Sequence, residues 1–329
     1  MNYQAPLWLP GGNLQTIWPA LFARRSASVP PRYRRERWET PDADFIDVDW
    51  LDGAAPATAA MAQQQPLIVM FHGLEGSSAS HYAQAFADFA ASRGVAFAVA
   101  HFRGCSGELN RGPRAYHSGD FQEIDWILRR FRAAHAGPVV AVGVSLGGNA
   151  LMRWAGEVGA SAAAVVAAVA SVSAPLDLAA GGHAIGRGFN RLVYTRMFLN
   201  TMRPKALRKH AQHPGLFDRE ALLRAQDLFE FDNIFTAPVH GFRNTEDYWR
   251  RASAKPHLRQ IALPALLVNA LNDPFVPAWS LPGPKDVAGS VTLWQPQGGG
   301  HVGFAQGRPP GHVSAMPLAV GDWLLKQTR

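Results

Sequence analysis

The chain is poor in cysteine and in lysine. Its 329 residues include a single cysteine, Cys105, so the chain cannot form an internal disulfide and no oxidising compartment is implied. Cys105 also lacks the sequence context of a catalytic nucleophile, and we expect it to pack in a loop. Of the 32 basic residues only five are lysine, so the positive charge is carried mainly by arginine.

Charged residues are scarce at 17%, yet the formal net charge is +7. A basic balance can indicate binding to nucleic acid or to anionic membranes. The arginines are scattered, however, and the densest run, residues 32–37, is interrupted by Tyr33 and Glu36. No zinc-finger spacing, RNP-like motif or long basic helix is present, so we expect no nucleic-acid partner.

Long hydrophobic runs are also missing. The longest weakly polar run, residues 160–174, is too short and too rich in alanine and serine to span a membrane. The N-terminus has no positive segment followed by an apolar one, which argues against a signal peptide. With 47% hydrophobic residues the chain can bury a large core. We therefore expect a cytoplasmic enzyme without an integral membrane segment; its oligomeric state stays open.

Motifs for common cofactors are absent. No GxGxxG follows a strand and no GxxxxGK[ST] occurs, which argues against a nucleotide cofactor. No set of His, Asp or Glu has the spacing typical of metal ligands. We therefore expect neither a cofactor nor a metal.

What the chain does have is a regular alternation of apolar strands and amphipathic helices. Uninterrupted apolar strands that alternate with helices indicate a mostly parallel sheet covered on both faces, preceded here by two antiparallel strands. The predicted strands are residues 33–40, 45–51, 66–71, 95–100, 138–143, 162–172, 264–270 and 290–294. The predicted helices are residues 80–93, 117–135, 146–158 and 312–326.

This alternation is interrupted once, and the interruption defines the predicted domains. Residues 175–258 have a helical pattern and are too long for a plain connection between two strands. We interpret them as a helical cap or lid inserted into an α/β core formed by residues 1–174 and 259–329. Residues 1–32, rich in Pro, Gly and Trp, are expected to form an irregular arm, and residues 52–65 a surface loop.

The strongest chemical signal is Gly143-Val144-Ser145-Leu146-Gly147, which lies between a predicted strand and a predicted helix. This is the context of the nucleophile elbow of the α/β-hydrolase fold. The serine occupies a strained turn where neighbouring side chains would clash, so the flanking positions, Gly143 and Gly147, must be small. We predict that Ser145 is the nucleophile.

The second signal is the sequence His72-Gly73-Leu74-Glu75-Gly76, directly after a predicted strand. An oxyanion hole needs two N–H donors aimed at the developing negative charge. We expect the backbone N–H groups of Leu74 and Leu146 to supply them. His72 and Gly73 are expected to support this loop rather than to act as a base.

The third signal is an acid and a base that follow the serine in the order this fold uses. Asp273 and His301 each follow a predicted strand, and the carboxyl ends of parallel strands are where such sheets carry their chemistry. We predict that His301 is the general base and that Asp273 orients it. Asp177 is the alternative acid, whereas His312 is expected only to begin the last helix.

These residues lie within longer stretches that resemble the YheT-like family of α/β-hydrolases, which is related to medium-chain ethyl-ester synthase/esterases. The resemblance covers nearly the whole chain and rests on GGNLQTI (11–17), RRERWETPDADFIDVDW (34–50), HGLEGSS (72–78), FRGCSGELNRGPRAYHSGD (102–120), GVSLGGN (143–149), FDN–TAPVHGF (231–242) and NALNDPF (269–275). One departure is Asp42-Ala43-Asp44, where relatives commonly have Asp-Gly-Asp.

The resemblance implies the same three catalytic residues, Ser145, Asp273 and His301, and carboxylester substrates of short- to medium-chain acyl groups. It also implies acyl transfer to alcohols in some members. Three functions are weighed: a serine carboxylesterase acting on a small-molecule ester, an acyltransferase to alcohols, and a non-catalytic binding protein on a hydrolase scaffold. The first is our leading hypothesis. A binding protein would usually have lost Ser145 or His301, whereas the sequence does not separate hydrolysis from acyl transfer.

One block of the resemblance, residues 103–120, has no place in the minimal mechanism. Four of its side chains either brace the elbow or contact the substrate, and we favour bracing. They are Arg103, Arg111, Tyr116 and His117. Aromatic residues of the predicted cap could line an acyl pocket: Phe189, Tyr194, Phe198, Phe229 and Phe235.

Overall fold

A computed structural model of the chain describes residues 2–25, 30–53 and 64–328. An eight-stranded sheet lies at its centre, with the strand order β1-β2-β4-β3-β5-β6-β7-β8. The strands are β1 (Tyr33–Glu39), β2 (Phe45–Leu51), β3 (Leu67–Phe71), β4 (Ala96–Ala100), β5 (Val139–Val144), β6 (Ala168–Val172), β7 (Ala265–Val268) and β8 (Val291–Trp294). Strand β2 is antiparallel to β1 and β4, and all other pairs are parallel, which confirms the predicted mostly parallel α/β sheet.

Helices cover both faces of the sheet. The core helices are α1 (Gly11–Leu21), α2 (His81–Arg93), α3 (Phe121–Ala134), α4 (Leu146–Val158) and, at the end of the chain, α9 (Ala315–Lys326). Alternate residues of β3 point to opposite sides: Leu67, Val69 and Phe71 pack with α3 and α4, whereas Ile68 and Met70 pack with α2 and α9. The uninterrupted apolar run of this strand therefore reflects burial on both faces.

Helices also occupy the chain between β6 and β7. They are α5 (Leu178–Ile185), α6 (Arg196–Gln212), α7 (Arg219–Arg224) and α8 (Thr245–Ala252), with shorter helical turns at Gly188–Asn190, Leu228–Phe231, Ala237–Val239 and Lys255–Gln260. Two π-helical turns, Arg191–Thr195 and Asp232–Thr236, lie among them. The limits of the cap and its role remain predictions.

Several predicted elements differ from the structure. The N-terminal arm is not irregular throughout, because α1 forms in it despite Pro19. The predicted strand 162–172 is a strand only over Ala168–Val172, and its first part belongs to the 3-10 turn Gly159–Ala164. Helix α9 begins at Ala315, so His312 does not start it. Most of the predicted surface loop, residues 54–63, lies outside the described residues.

The departure from the family pattern, Ala43, lies in the turn between β1 and β2. Ala43 has a φ of 59°, a left-handed conformation that glycine adopts more easily than any other residue. Alanine therefore occupies this turn at some conformational cost.

Candidate active site

Ser145 occupies a sharp turn between β5 and α4. Its φ of 52° and ψ of −117° lie outside the ordinary regions for a non-glycine residue. A Cβ atom on Gly143 would lie 2.4 Å from the Gly147 oxygen, and one on Gly147 would lie 2.5 Å from the His72 oxygen. The backbones approach so closely that only glycine fits, as the sequence predicts.

The structure brings Ser145, His301 and Asp273 into one hydrogen-bonded chain. The Nε2 atom of His301 lies 3.0 Å from the Ser145 Oγ, and its Nδ1 lies 2.9 Å from the Asp273 Oδ2. Because an ionised carboxylate can only accept, Nδ1 carries the ring proton and Nε2 is free to accept from the serine hydroxyl. The other Asp273 oxygen, Oδ1, accepts the Phe275 backbone N–H at 2.8 Å, which fixes the carboxylate.

Helix α1 holds the loops that carry Asp273 and His301. The Thr16 hydroxyl accepts the backbone N–H of His301 at 2.8 Å. The Gln15 side-chain oxygen accepts the Gly299 N–H at 2.8 Å and the Asn272 side-chain N–H at 2.9 Å. Our sequence reasoning assigned no role to these residues, although they lie in the GGNLQTI motif of the family resemblance.

The loop after β3 is fixed by hydrogen bonds on both sides of His72. Its Nδ1–H donates to the Gly73 oxygen at 2.8 Å, and its Nε2 accepts the Phe102 N–H at 3.0 Å. Burial lowers the pKa of His72 to about 3, which keeps the ring neutral. These contacts fit the supporting role expected for His72. The Tyr82 hydroxyl accepts the Gly73 N–H at 2.8 Å and adds a further tie to α2.

The backbone of Leu74 is held from its C-terminal side. Glu75 has a φ of 57°, and its N–H donates to the Tyr116 hydroxyl at 3.0 Å while its carboxylate accepts from the same hydroxyl at 2.8 Å. Lys205 of α6 adds an ion pair to Glu75 at 2.9 Å. The N–H of Ser145 donates to the Val172 oxygen, so it is not available to an oxyanion. Leu74 and Leu146 thus remain our candidates for the two donors.

Ser145 opens into an apolar cavity of about 110 Å³. Its walls come from the loop after β3, from the start of α4 and from helices between β6 and β7. They include Leu74, Leu146, Pro175, Leu178, Gly181, Gly182, Ile185, Phe198, Met202, Leu228, Tyr248, Trp249 and Phe275. Of the aromatic residues predicted to line an acyl pocket, Phe198 does so here, whereas Phe189 is half exposed at the surface.

A second cavity of about 70 Å³ adjoins the first, and the two share Leu74, Leu146, Met202, Asp232 and Tyr248 as walls. Phe235 lines only the second cavity. Asp232 accepts the Trp249 Nε1–H at 2.9 Å, and burial raises its pKa to about 6. We did not single out Asp232 from the sequence, although it stands in the FDN part of the resemblance.

Arg103 is engaged with carboxylates of the protein itself. Its buried guanidinium donates to Glu123 at 2.6 Å, to Asp42 at 2.9 Å and to Asp44 at 3.0 Å. These contacts connect the β1–β2 turn, the loop after β4 and α3. Arg103 also lines the second cavity, but these carboxylates occupy its guanidinium and favour bracing over substrate contact.

The other residues of that block are placed in two different settings. Arg111 is exposed and lies over the Phe45 ring at 5.4 Å. Tyr116 lines the second cavity and stacks on the Phe102 ring at 5.4 Å. His117 also lines that cavity, and burial lowers its pKa to about 3. Tyr116 and His117 therefore stay possible substrate contacts.

The alternative residues weighed from the sequence have other partners. The Asp177 carboxylate caps α5 by accepting the Ala180 N–H at 3.1 Å. The His312 Nδ1 lies 2.6 Å from the Ser314 hydroxyl. The hydrogen bonds of His301 therefore favour Asp273 over Asp177 as the acid.

Similarity to known proteins agrees with this geometry. A family model described as "alpha/beta hydrolase fold" matches residues 66–307. The chain is 39% identical to "Putative esterase YheT" of Escherichia coli (strain K12) over 95% of this chain and 89% of that protein. It is 27% identical to "Phospholipase ABHD3" of Homo sapiens over 93% of this chain and 74% of that protein.

A solved structure shares the fold at low sequence identity. The esterase Pf2001 of Pyrococcus furiosus superposes with a TM-score of 0.56 and 16% identity, covering 91% of this chain and 94% of the esterase. Within the part of the chain that the structure describes, no helix has the length and apolarity needed to cross a bilayer. The fold, the family match and the 39% identity together place the chain in the alpha/beta hydrolase family, among the relatives of YheT, as a hydrolase.

Proposed function

We propose that the protein is a serine carboxylesterase that hydrolyses short- to medium-chain acyl esters through an acyl-enzyme on Ser145. The observation that carries this proposal is the hydrogen-bonded chain Ser145–His301–Asp273 at the wall of an apolar cavity. The named activities of relatives, an esterase and phospholipases, point to the same class of bond.

In the first half of the proposed reaction, the Ser145 Oγ attacks the ester carbonyl carbon and His301 Nε2 takes the hydroxyl proton. Asp273 stabilises the imidazolium that forms. The negative charge on the former carbonyl oxygen is stabilised by the N–H groups of Leu74 and Leu146. The intermediate then breaks its bond to the alcohol oxygen, which leaves with the proton from His301.

In the second half, a water molecule attacks the acyl-enzyme while His301 Nε2 takes one of its protons. The tetrahedral intermediate releases the carboxylic acid, and the proton returns to the Ser145 Oγ. The apolar walls around Ser145 suit an acyl chain, and helices of the proposed cap supply many of them. No cofactor or metal takes part in this proposal, and a cytoplasmic location, testable by cell fractionation, remains part of it.

Acyl transfer to an alcohol is the second candidate function. Two adjoining cavities share the walls beside Ser145, so one could hold the acyl chain while an alcohol occupies the other. In that case the alcohol, rather than water, would attack the acyl-enzyme. Adding ethanol to the assay and measuring the ethyl ester by gas chromatography distinguishes the two outcomes.

The test is hydrolysis of p-nitrophenyl esters from acetyl to palmitoyl by the wild type and by Ser145→Ala and His301→Ala. We expect both variants to lose on the order of 10⁴-fold or more in kcat. Ser161→Ala, an exposed serine on the turn after α4, is the matched control and should behave as the wild type. A wild type that is inert on every ester and is not labelled at Ser145 by a fluorophosphonate would refute the proposal.

A further inference from the structure

A row of apolar side chains is exposed between the end of α5 and the first turn of α6. The exposed fractions are 51% for Phe189, 59% for Leu192, 36% for Val193 and 51% for Met197. We call these four side chains the apolar ridge. Isolated exposed apolar residues are common, but four within nine residues form a contiguous patch of the kind that marks an interaction site. The ridge includes part of the π-helical turn Arg191–Thr195.

The opposite side of the same segment belongs to the candidate active site. Phe198 is buried and lines the cavity that contains Ser145. Tyr194 is buried against Phe275 at a ring distance of 4.5 Å, and Phe275 in turn contacts the His301 ring at 4.2 Å. Whatever binds the ridge is therefore close to the cavity.

Helix α1 brings further apolar side chains to this region. The Tyr194 hydroxyl donates to Asn13 at 3.0 Å, and Ile17 packs in the cluster that contains Tyr194. Leu14 lies three residues before Ile17, and Leu21 lies four residues after it, so all three are on the same helix face. Leu14 and Leu21 are exposed. The apolar surface therefore extends from the ridge along α1.

Positive charge surrounds the ridge. Arg187, Arg191 and Arg196 lie in or beside it and are exposed. Arg191 donates to the Gln226 side chain at 2.8 Å, and within the described part of the chain none of the three has a carboxylate partner in a salt bridge. Residues 178–217 contain seven Lys and Arg and no Asp or Glu. Exposed apolar side chains among unpaired cations are typical of segments that lie in the interface of an anionic bilayer.

We propose that the apolar ridge docks on an anionic lipid surface, with Phe189, Leu192, Val193 and Met197 entering the interface and the three arginines contacting lipid phosphates. A second copy of the chain fits this face less well, because pairing two ridges would bring six unpaired arginines together. Docking would place the Ser145 cavity next to esters that partition into lipid. This consequence for substrate supply rests on the proposed esterase function, whereas the docking itself does not.

The test is co-sedimentation of the full chain with sucrose-loaded vesicles of phosphatidylcholine alone and of equal parts phosphatidylcholine and phosphatidylglycerol. Ser145→Ala is used as the parent so that hydrolysis of lipid cannot affect the result. We expect strong binding only to the anionic vesicles, and weaker binding as salt screens the arginines. Leu192→Ser should lower the partition coefficient on the order of tenfold, and the pair Arg187→Gln and Arg196→Gln roughly twentyfold.

Two matched controls carry the same substitutions elsewhere. Leu318→Ser on α9 and Arg34→Gln on β1 alter exposed residues far along the sequence from the ridge and should bind as the parent. In the active background, Leu192→Ser should hydrolyse soluble p-nitrophenyl butyrate within about twofold of the wild type. Equal binding by Leu192→Ser and Leu318→Ser overturns the proposal. The proposal is also overturned if the parent does not bind vesicles and instead forms a dimer that Leu192→Ser dissociates. Analytical ultracentrifugation measures the dimer.

Discussion

At the scale of single residues, the Thr16 side chain is both a donor and an acceptor in the site. Its hydroxyl donates to the Gly12 oxygen at 2.7 Å and accepts the His301 N–H at 2.8 Å. The proton is therefore committed to Gly12, and a lone pair faces the histidine backbone. Thr16 does not touch the reacting atoms, so we regard it as a positioning residue for His301.

Replacing Thr16 with valine keeps the shape of the side chain and leaves the His301 N–H without its acceptor. An unsatisfied buried N–H costs about 1–3 kcal/mol, and we expect the loop to move. Misplacement of His301 should lower kcat roughly tenfold to a hundredfold, with a smaller change in KM. Steady-state kinetics on p-nitrophenyl butyrate measure both constants.

The control is Thr16→Ser, which keeps the hydroxyl and should restore kcat. If Thr16→Val and Thr16→Ser lose kcat equally, packing of the methyl group and not the hydrogen bond to His301 is what matters. Thermal unfolding of the two variants separates a general loss of stability from a local change at the site.

At the scale of elements, the loop after β4 is tied to two other parts of the fold through Arg103. The guanidinium contacts Asp42 and Asp44 in the β1–β2 turn and Glu123 in the first turn of α3. Asp44 also accepts the backbone N–H groups of Arg111 and Gly112, at 2.7 and 3.1 Å. This network of charges gives a long irregular loop a fixed shape.

We therefore expect Arg103→Met to act on stability rather than on substrate binding. Removing one partner leaves Asp44 and Glu123 buried without their countercharge, which typically costs about 3–5 kcal/mol. Urea unfolding should report this loss, while KM for p-nitrophenyl butyrate stays within about twofold of the wild type. Arg103→Lys keeps a positive charge and should lose less free energy of unfolding. It provides a folded variant for the kinetic measurements.

Arg111→Met is the comparison, because Arg111 is exposed and should change the free energy of unfolding by less than about 0.5 kcal/mol. A raised KM in Arg103→Met with unchanged stability would instead mean that Arg103 contacts the substrate.

Some of the elements around the candidate site could be predicted from the sequence, and others could not. The strand, turn and helix around Ser145 were predictable because a buried apolar run, two glycines and a helical pattern occur together there. Helix α1 was not, because Gly11, Gly12 and Pro19 disfavour helix locally. It forms through contacts with residues close to the other end of the chain, such as that of Gln15 with Gly299, which no local pattern reveals.

The limits of β6 were missed for a related reason. Alanine and valine fill both the 3-10 turn Gly159–Ala164 and the strand Ala168–Val172, so composition does not separate them. In the candidate site, Ser145, Asp273 and His301 could be picked out because each follows a predicted strand. Thr16 and Gln15 act through contacts distant in sequence and could not.

At the scale of the whole molecule, His72 and His117 couple folding to pH. Burial lowers the pKa of His72 and of His117 from 6.5 to about 3. Between these values the unfolded chain binds a proton at each histidine and the folded chain does not. Each therefore lowers the free energy of unfolding as the pH falls from about 6.5 to about 3, by about 1.4 kcal/mol per pH unit.

Buried carboxyls act in the opposite direction, because burial raises the pKa of Asp232 to about 6 and of Glu123 to about 7. Comparing the wild type with a variant that lacks one histidine isolates the contribution of that histidine to the pH dependence of stability. His117→Phe keeps an aromatic ring against His240 and Phe242 and removes one titrating group. Its free energy of unfolding should fall less steeply than that of the wild type below pH 6.5, by about 1.4 kcal/mol per pH unit.

Urea unfolding at a series of pH values measures the two slopes. Parallel slopes for the wild type and His117→Phe would show that His117 titrates in the folded protein as it does in the unfolded chain.

The hydrogen bond between Thr16 and His301 joins residues 285 positions apart. During synthesis on the ribosome, α1 emerges long before the loop that carries His301, and the elbow with Ser145 lies between them. The elbow can therefore be synthesised long before His301 and before the backbone N–H that Thr16 accepts. Under the proposed mechanism, hydrolytic activity should consequently appear only once the loop that carries His301 has emerged and has docked on α1.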